Sequence, residues 1–381
     1  MNYRLDQLFK LQMGKTPARA NLEYWDGTNK WVSISDLSGY DKYVTDTKEC
    51  ISDLGVSESG IKVVPKNTVI MSFKLSIGKT AITTDNVFTN EAIMAFIDKG
   101  VCEINTDYLY YLFSGMDWNK GTNKAVLGLT LNKATLSKIE IDIPDLITQN
   151  EVVKKLDLLS NVIQMQKQSM DKLDELVKSR FVEMFGDPVE NDMEWDMAIL
   201  DTICDGIGDG LHGTPEYEDN SGYPFINGNN LIDGKITITS TTKFVSCSTY
   251  EKHRIDFTDN CILLSINGTL GKVAYYHNEK IMLGKSACYI NLKSCVNKTF
   301  VFELMRTPFF LRFLDDNSTK STIKNVGLKA IRGFKLILPP IDVQNQFADF
   351  VTKIEQQKAT VQKSIEKLEI LKKSLMQDYF G

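Results

Sequence analysis

The stretch FKLSIGKTAI, residues 73–82, contains a Gly-Lys-Thr triplet that could hold a nucleotide phosphate. A phosphate-binding P-loop has the pattern G-x-x-x-x-G-K-S/T, in which two glycines let backbone amides converge on the anion. Here Phe73 stands where the first glycine is required. A second copy of the stretch has Gly271-Lys272 followed by Val273, which lacks the hydroxyl group that binds Mg²⁺. The pattern therefore favours a strand–Gly-Lys–strand turn in both copies over a nucleotide site.

Other side chains that could do metal or redox chemistry are few and widely spaced. The histidines, His212, His253 and His277, do not have the spacing of metal ligands, so a structural metal is not expected. The seven cysteines occur singly and form no C-x-x-C pair, which is typical of a reducing compartment. The first residues lack the apolar core of a signal peptide, and no apolar run approaches the length of a membrane span. We expect a cytoplasmic protein without a metal or a membrane segment.

Charge is distributed unevenly along the chain. The 44 basic and 49 acidic residues give a net charge of −5, which argues against a uniformly basic nucleic-acid binder but allows a local basic face. Two stretches, 119–138 and 317–335, contain several basic residues and no acidic residue. Their composition predicts contact with phosphates, although a solvated positive loop would have the same composition.

Side chains that could bind DNA occur in these stretches and in the polar turns between strands. Lysine ammonium groups bind phosphates; in a major groove, asparagine pairs with adenine, and lysine or arginine with guanine. The lysines predicted to contact phosphates are Lys74, Lys79, Lys120, Lys124, Lys272, Lys320 and Lys324. The residues predicted to lie near base edges are Ser35, Asn229, Asn230 and Asn267.

The chain is an internal duplication. Gln149-Asn150 recurs 195 residues later as Gln344-Asn345, and the same offset carries Phe185-Gly186 onto Phe380-Gly381. The upstream parts are looser copies, rich in short β-branched and aromatic runs broken by Gly, Asn and Asp. The pattern predicts an α+β fold with two mixed α/β domains, residues 1–143 (the first head) and 187–338 (the second head). It also predicts two helical segments, 144–186 and 339–381.

Each helical segment carries a heptad pattern, which specifies a long helix with one apolar seam. At 1.5 Å per residue, a helix of about 35 residues is roughly 50 Å long. The simplest partner for one seam is the other, in an antiparallel coiled coil with pseudo-twofold symmetry. The predicted seam residues are Val152, Leu156, Leu159, Ile163, Met170, Leu173, Val351, Ile354, Val361, Ile365, Leu368 and Leu375. Heptads specify pairing and not function, so a merely stabilising hairpin, or self-association between chains, stays open.

In this order and at this repeat distance, the motifs resemble the specificity subunit of type I restriction-modification systems. The opening 14–37 contains T-P, E-Y-W and W-V, and the opening 209–231 contains D-G-x-H-x-T-P and P-F-I. Each copy then has a Ser…Gly-Lys core and the Gln-Asn and Phe-Gly pairs of the helical segment. The resemblance covers essentially the whole chain.

The resemblance implies a non-catalytic subunit with two target recognition domains, each reading one part of a split, asymmetric sequence in double-stranded DNA. It implies that the helices act as a spacer and dock two methyltransferase subunits, and through them restriction subunits. It places S-adenosylmethionine, ATP and Mg²⁺ on those partners, with no cofactor on this chain. In agreement, the sequence shows no Asn/Asp-Pro-Pro-aromatic methylation motif and no complete P-loop.

Two other classes of protein remain as alternatives on the sequence alone. One is a coiled-coil scaffold without DNA specificity, because a heptad seam can join many proteins. The other is an enzyme, either a nucleotide-binding protein built on the partial P-loop or a self-contained methyltransferase.

Overall fold

The computed structural model of the chain describes residues 1–74, 76–118, 131–218 and 222–381. Contacts divide the chain into two compact units. The first unit comprises Met1–Lys167 and Lys363–Gly381, and the second comprises Gln168–Gln362. Each unit therefore contains one head and a part of each of two long helices.

The first head is built from short strands arranged in sheets. Its strands are β1 (Asn2–Arg4), β2 (Phe9–Met13), β3 (Trp25–Val32), β4 (Glu49–Ile51), β5 (Val69–Ser72), β6 (Thr80–Ile82), β7 (Phe88–Thr89), β8 (Ile93–Asp98) and β9 (Glu140–Asp142). Its helices are α1 (Leu5–Leu8), α2 (Ile34–Leu37), α3 (Asp53–Ser59), α4 (Thr106–Gly115) and α5 (Lys133–Ser137), and the long helix α6 (Leu146–Phe185) follows. The strands form sheets in the orders β2-β8-β5-β6, β4-β3-β7 and β1-β9.

The central strands of the first head are apolar on both faces because each face covers a different core. In β5, Val69 and Met71 belong to a cluster that includes residues of α4 and α6, whereas Ile70 belongs to a second cluster on the opposite face. This alternation follows from the two-residue period of a strand. The sheet thereby connects the outer loops of the head to the long helix.

The second head repeats this plan. Its strands are β10 (Met197–Ile199), β11 (Cys204–Asp209), β12 (Tyr223–Ile226), β13 (Leu231–Ile232), β14 (Lys235–Ile236), β15 (Lys243–Val245), β16 (Cys261–Ser265), β17 (Val273–Tyr275), β18 (Met282–Leu283), β19 (Ala287–Leu292) and β20 (Lys335–Ile337). Its helices are α7 (Cys247–His253), α8 (Lys298–Met305), α9 (Pro308–Asp316) and α10 (Leu328–Arg332), followed by the long helix α11 (Ile341–Phe380). The sheets have the orders β11-β19-β16-β17, β15-β12-β18 and β10-β20, with an added hairpin β13-β14.

The repeated Gln-Asn pair joins the start of each long helix to its own head. Gln149 is fully buried; its Oε1 accepts from Asn105 N–H at 2.8 Å, and its Nε2 donates to Pro144 O at 2.9 Å. In the second unit, Gln344 accepts from Asn297 N–H at 3.0 Å and donates to Pro339 O at 2.7 Å. The pair recurs in the sequence because one hydrogen-bonding arrangement is used twice.

Within each unit the two long helices pack antiparallel. In the first unit Lys167 of α6 forms an ion pair with Glu369 of α11 at 3.0 Å, and Lys155 donates to Tyr379 at 3.4 Å, so rising numbers on α6 meet falling numbers on α11. The predicted seam residues are all buried or partly buried: Val152, Leu156, Leu159, Ile163, Met170, Leu173, Val351, Ile354, Val361, Ile365, Leu368 and Leu375. Seam residues of the two helices meet in the core of each unit: Leu375 packs with Val152 and Leu156 in the first, and Leu173 packs with Val351 and Ile354 in the second.

The second unit pairs the remaining parts of the helices in the same way. Phe181 and Phe185 of α6 pack on Phe347 of α11, with ring centroids 5.6 and 5.2 Å apart. Lys358 interrupts the apolar seam and forms an ion pair with Asp174 at 2.8 Å. The α+β fold class predicted from the sequence, with repeated heads and an antiparallel helix pair, is confirmed.

The four predicted segments differ from the compact units. Both long helices lie inside the predicted helical segments 144–186 and 339–381, but each helix has residues in both units. The division into functional domains at 1–143, 144–186, 187–338 and 339–381 stays a prediction. In the described part of the chain, no helix is both long enough and apolar enough to cross a bilayer.

Candidate nucleic-acid interface

The Gly-Lys motif of the first head lies in the turn between β5 and β6; its described residues, 72–74 and 76–79, are what we call the first hairpin. The buried hydroxyl of Ser72 donates to Ser76 O at 2.6 Å and accepts from Lys79 N–H at 3.1 Å. Ser72 N–H donates to Lys79 O at 2.9 Å, and Gly78 N–H donates to Ser72 O at 3.0 Å. Gly78 has φ 89°, a conformation that glycine adopts at low cost. The amides of Gly78 and Lys79 therefore bond to Ser72, and the motif forms a closed turn.

The second head has the same turn between β16 and β17, residues 265–272, which we call the second hairpin. The Ser265 hydroxyl donates to Thr269 O at 2.7 Å and accepts from Lys272 N–H at 2.8 Å. Ser265 N–H donates to Lys272 O at 2.8 Å, and Gly271 N–H donates to Ser265 O at 3.1 Å. The turn predicted from the missing P-loop residues is present in both heads.

A basic loop lies directly against the second hairpin. Gly268 N–H donates to Lys324 O at 2.9 Å, and Val326 N–H donates to Ile266 O at 2.9 Å. The side chain of Asn267 donates to Asn325 Oδ1 at 3.2 Å. The fold thus brings Asn267 together with the loop 318–326, which carries two of the predicted phosphate-binding lysines.

A third loop, residues 227–230, borders the same surface. Gly228 N–H donates to Ser286 Oγ at 3.0 Å, and Ser286 in turn donates to Asn227 Oδ1 at 2.8 Å. A Cβ atom at Gly228 would lie 2.8 Å from Ser265 Cβ, so the glycine permits this close approach. The exposed Asn229 is thereby held beside the second hairpin.

Asn230 does not fit the role predicted for it. It is buried, and its side chain donates to Thr237 O at 3.0 Å and to Thr242 Oγ1 at 2.8 Å. Its Oδ1 accepts from Asn227 N–H at 3.0 Å. These bonds hold the loop together and leave the amide unable to reach a base, so the base contact predicted for Asn230 is wrong. The sequence signal was the Asn-x-x-Asn spacing, which is that of a capping box.

The lysines predicted to contact phosphates differ in solvent exposure and in ion pairing. Lys74, Lys79 and Lys320 are exposed, and Lys272 is partly buried. Lys324 is exposed and forms an ion pair with Asp315, so a phosphate would have to compete with that carboxylate. Lys120 and Lys124 lie outside the described residues.

Ser35 occupies a different part of the first head. It lies in α2, exposed, and its hydroxyl accepts from the Lys48 ammonium group at 3.0 Å. Among the described residues no hydrogen bond joins it to the first hairpin. The structure therefore brings the candidate residues of the second head together more closely than those of the first.

The histidine of the opening motif in the second head was not among the predicted site residues. His212 Nε2 lies 2.7 Å from Asp209 Oδ2 and borders a cleft of about 420 Å³ that Lys252 and His253 also line. The D-G-x-H-x-T-P motif was the available sequence signal.

A charged cluster joins the first head to α6, and no sequence pattern indicated it. The Lys42 ammonium group lies 2.6 Å from Asp157 and 2.8 Å from Asp107, and its side chain is only 14% exposed. Tyr111 donates to Asp157 at 2.5 Å. Burial by itself lowers the pKa of Lys42, but the hydrogen bonds to the two carboxylates outweigh burial and raise the pKa above its ordinary value. The cluster thus holds a stable positive charge between two elements of the head and the helix.

The first unit also exposes an apolar stripe on α6. Ile147, Leu158 and Met165 are 75%, 64% and 67% exposed. Spacings of eleven and seven residues return to nearly the same side of an α-helix, within about 20°. Ile370 of α11 is 70% exposed as well. These side chains lie away from the paired seam and have no partner among the described residues that would account for their apolar character.

The chain matches a known family of protein over nearly its full length. The family model described as "Type I restriction modification DNA specificity domain" matches residues 1–175 and again residues 194–370. The two matches coincide with the internal repeat.

Similar proteins carry the same description. The type I restriction enzyme MjaIX specificity subunit of Methanocaldococcus jannaschii is 22% identical over 388 residues, covering 95% of this chain and 88% of the relative. The HindI specificity subunit of Haemophilus influenzae is 28% identical over 171 residues, covering 42% of this chain and 36% of the relative.

Two solved structures share the fold. The S subunit of a type I restriction-modification system from M. genitalium has a TM-score of 0.52 at 15% identity, covering 100% of this chain and 96% of that chain. A chain from a study of complex assembly and conformational transition of the type I R-M system has a TM-score of 0.63 at 16% identity, covering 100% and 97%.

Proposed function

Because the chain belongs to the type I restriction-modification DNA specificity family, a family of non-catalytic DNA-recognition subunits, we propose that it reads a bipartite, asymmetric target. Each head reads one part of that target. The observation that carries the proposal is that both heads present one hairpin framework with different outward side chains. The two heads share a fold but differ in their surface residues, which suits a target whose two parts differ in sequence.

Phosphate contacts in the second head come from the basic loop beside its hairpin. Lys320 is exposed, and Lys324 can exchange its partner Asp315 for a phosphate. Lys272 and, in the first head, Lys79 occupy the same place at the end of each hairpin. Phosphate contacts position a protein on the duplex without carrying sequence information. Base contacts in the second head come from Asn229 and Asn267, next to this loop.

The exposed apolar stripe of α6 is the proposed docking surface for a methyltransferase subunit. Ile147, Leu158 and Met165 would lose exposed apolar area on binding, which is the main favourable contribution in most protein association. The duplicated helical segment suits two partners, but the positions of α11 equivalent to this stripe are Asp342, Lys353 and Thr360, so the second partner would use a different surface. In this proposal the methyltransferase subunits bring S-adenosylmethionine, and restriction subunits, joined through them, bring ATP and Mg²⁺ chemistry in the cytoplasm.

The length of the helices is the proposed determinant of the gap between the two parts of the target. Each helix has 40 residues and is therefore about 60 Å long. Successive half-sites on one face of B-DNA are about 35 Å apart, so helices of this length are sufficient to span them.

Methylation mapping tests the proposal directly. The host genome is mapped for methylated adenine with this gene present and with it deleted. We expect a bipartite, asymmetric motif that disappears with the gene. A chain that binds random duplex pools no better with its methyltransferase subunits than without them, and that leaves the methylation pattern unchanged, would instead be a scaffold without DNA specificity.

A further inference from the structure

The two hairpins match residue for residue, which defines equivalent positions in the two heads. Ser72, Gly78 and Lys79 correspond to Ser265, Gly271 and Lys272 without a gap. The hydrogen bonds that close the two turns agree to within 0.3 Å. The framework is therefore the same, and the differences lie in the residues between the serine and the glycine.

We propose that Lys74 and Asn267 occupy one equivalent base-reading position, and that it reads guanine in the first head and adenine in the second. The inference rests on the proposed function and specifies it at one position of each part of the target. It also replaces the phosphate contact predicted for Lys74 from the sequence.

The position of these two side chains follows from the residues that precede them. Phe73 and Ile266 are buried, and each is tied to a neighbouring strand or loop: Phe73 N–H donates to Ala92 O, and Ile266 N–H donates to Ser286 O, both at 3.0 Å. Strands β5 and β16 end at Ser72 and Ser265, so Lys74 and Asn267 both lie in the turn beyond a strand, one residue after a buried anchor. Lys74 is exposed, and Asn267 is partly exposed.

The hydrogen-bonding capacity of each side chain sets its preferred base. Lys74 is exposed, and its ammonium group lies 5.5 Å from the centroid of the Phe73 ring; all three of its N–H groups can donate to acceptors such as O6 and N7 of guanine. Asn267 donates one N–H to Asn325, which orients the amide, and no other described residue forms a hydrogen bond with its oxygen or its second N–H. Adenine offers N6–H₂ as donor and N7 as acceptor, which matches that remaining pair.

Reciprocal substitutions test the proposal. Lys74→Asn and Asn267→Lys are each expressed with the methyltransferase subunits, and the methylated motif is mapped. We expect K74N to change one position of one part of the motif from G·C to A·T, and N267K to make the opposite change in the other part. Initial methylation rates on duplexes that differ at that base pair should shift in preference by about tenfold to a hundredfold.

Two control variants separate base reading from general binding. Lys79→Asn alters a lysine of the shared framework, so it should weaken binding to all duplexes alike and leave the motif unchanged. Lys74→Arg retains a guanine-pairing group and should retain the wild-type motif. Both substitutions lie at exposed positions of a turn, and co-purification with the methyltransferase subunits shows whether each variant assembles.

The outcomes distinguish this inference from the proposed function. If wild-type protein directs a bipartite motif and neither K74N nor N267K alters any base of it, the base-reading assignment is wrong while the proposed function stands. If wild-type protein directs no bipartite motif, the proposed function itself fails. A K74N effect that is equal on all duplexes would show that Lys74 contacts a phosphate.

Discussion

The glutamine near the start of each long helix acts through the backbone of another element. Gln344 is fully buried, and both ends of its amide are bonded, to Asn297 N–H and to Pro339 O. The neighbouring Asn345 also bonds Asn297, through its side chain, but is exposed. A buried polar group that loses its partner costs far more than an exposed one, which water can satisfy. The two adjacent residues therefore differ in their expected contribution to stability.

We predict that Gln344→Ala lowers the free energy of unfolding by about 2–3 kcal/mol, because it leaves a buried N–H and a buried carbonyl without partners. Asn345→Ala is the matched control and should cost less than about 1 kcal/mol, since water can replace its bond. Denaturant unfolding followed by circular dichroism measures both. Equal losses for the two variants would contradict this account of the Gln-Asn pair.

Two further single residues, Lys320 and Lys324, determine how DNA binding depends on salt concentration. Each lysine that neutralises a phosphate releases counterions, so replacing both by alanine should weaken DNA binding and reduce the slope of log K against log salt by about two. Lys353, an exposed lysine of α11 outside both basic stretches, is the control substitution. The measurement is a fluorescence binding titration at several salt concentrations, and a slope unchanged from wild type removes the two lysines from the interface.

Among the elements, the contact of the first head with α6 depends on charge as well as on apolar packing. Lys42 comes from a loop of the head, Asp107 from α4 and Asp157 from α6, so one ammonium group joins three elements. The corresponding contact in the second unit uses aromatic packing, in which Phe181 and Phe185 of α6 pack on Phe300 of α8. The heads are thus attached to the same helices by different chemistry.

We predict that Lys42→Met destabilises the protein by about 2–3 kcal/mol, because two carboxylates remain close together without their cation. The expected loss of stability is smaller than for a fully buried ion pair, because Asp107 and Asp157 are about a third exposed to solvent. Lys48→Met, which removes an exposed ammonium group bonded to Ser35, is the control and should change stability little. Thermal unfolding of the two variants distinguishes them.

The pH dependence of the Lys42 contribution has a definite sign. The pKa of Lys42 is raised in the folded protein, so its stabilisation is fully present below the ordinary pKa of lysine and is lost as the pH rises through the raised value. Between about pH 6 and 9 the difference between wild type and K42M should therefore stay constant. A difference that falls steadily across this range would show that the ammonium group is not held as described.

For the whole molecule, one duplicated chain forms two units that share a topology and differ in surface. Both heads use the same sheet order, and both units contain a part of α6 and a part of α11. The outward residues of the hairpins and the surrounding loops are not repeated. Such a molecule can change what one head reads without altering the framework of the other.

We predict that matched seven-residue insertions in α6 and α11 lengthen the gap between the two parts of the DNA target. Seven residues add about 10 Å and keep the apolar seam nearly in phase, which corresponds to about three base pairs. The inserted heptads should preserve the bases read and change only the number of unread base pairs, as measured by methylation mapping. An insertion in α6 alone is the control and should disrupt pairing. An unchanged gap with the double insertion would contradict the role proposed for helix length.

The elements with a regular pattern could be predicted from the sequence. The heptads of α6 and α11 repeat over many turns, and the seam residues from Val152 to Leu375 are buried or partly buried as expected. The closed turn at Gly78 followed from one missing glycine and one missing hydroxyl. Each of these inferences depends on local spacing, which the sequence contains in full.

The side chains of the loops could not be assigned in the same way. Asn229 and Asn230 are neighbours of one residue type, yet one is exposed and the other is buried by Thr237 and Thr242. The Lys42 cluster joins residues that are far apart in the chain and have no common motif. Polar residues serve folding or binding according to neighbours that only the fold determines.

The last turns of α11 belong to the core of the first unit, where Leu375, Met376 and Phe380 pack with Val152 and Leu156. On the ribosome, this core cannot close when the first head emerges, because residues 363–381 have not yet been made. At 5–20 residues per second, the wait from residue 167 to residue 363 is roughly 10–40 s. During that time the early half of α6 exposes its apolar side to chaperones and proteases, so a nascent chain that stalls before α11 is synthesised is a substrate for quality control.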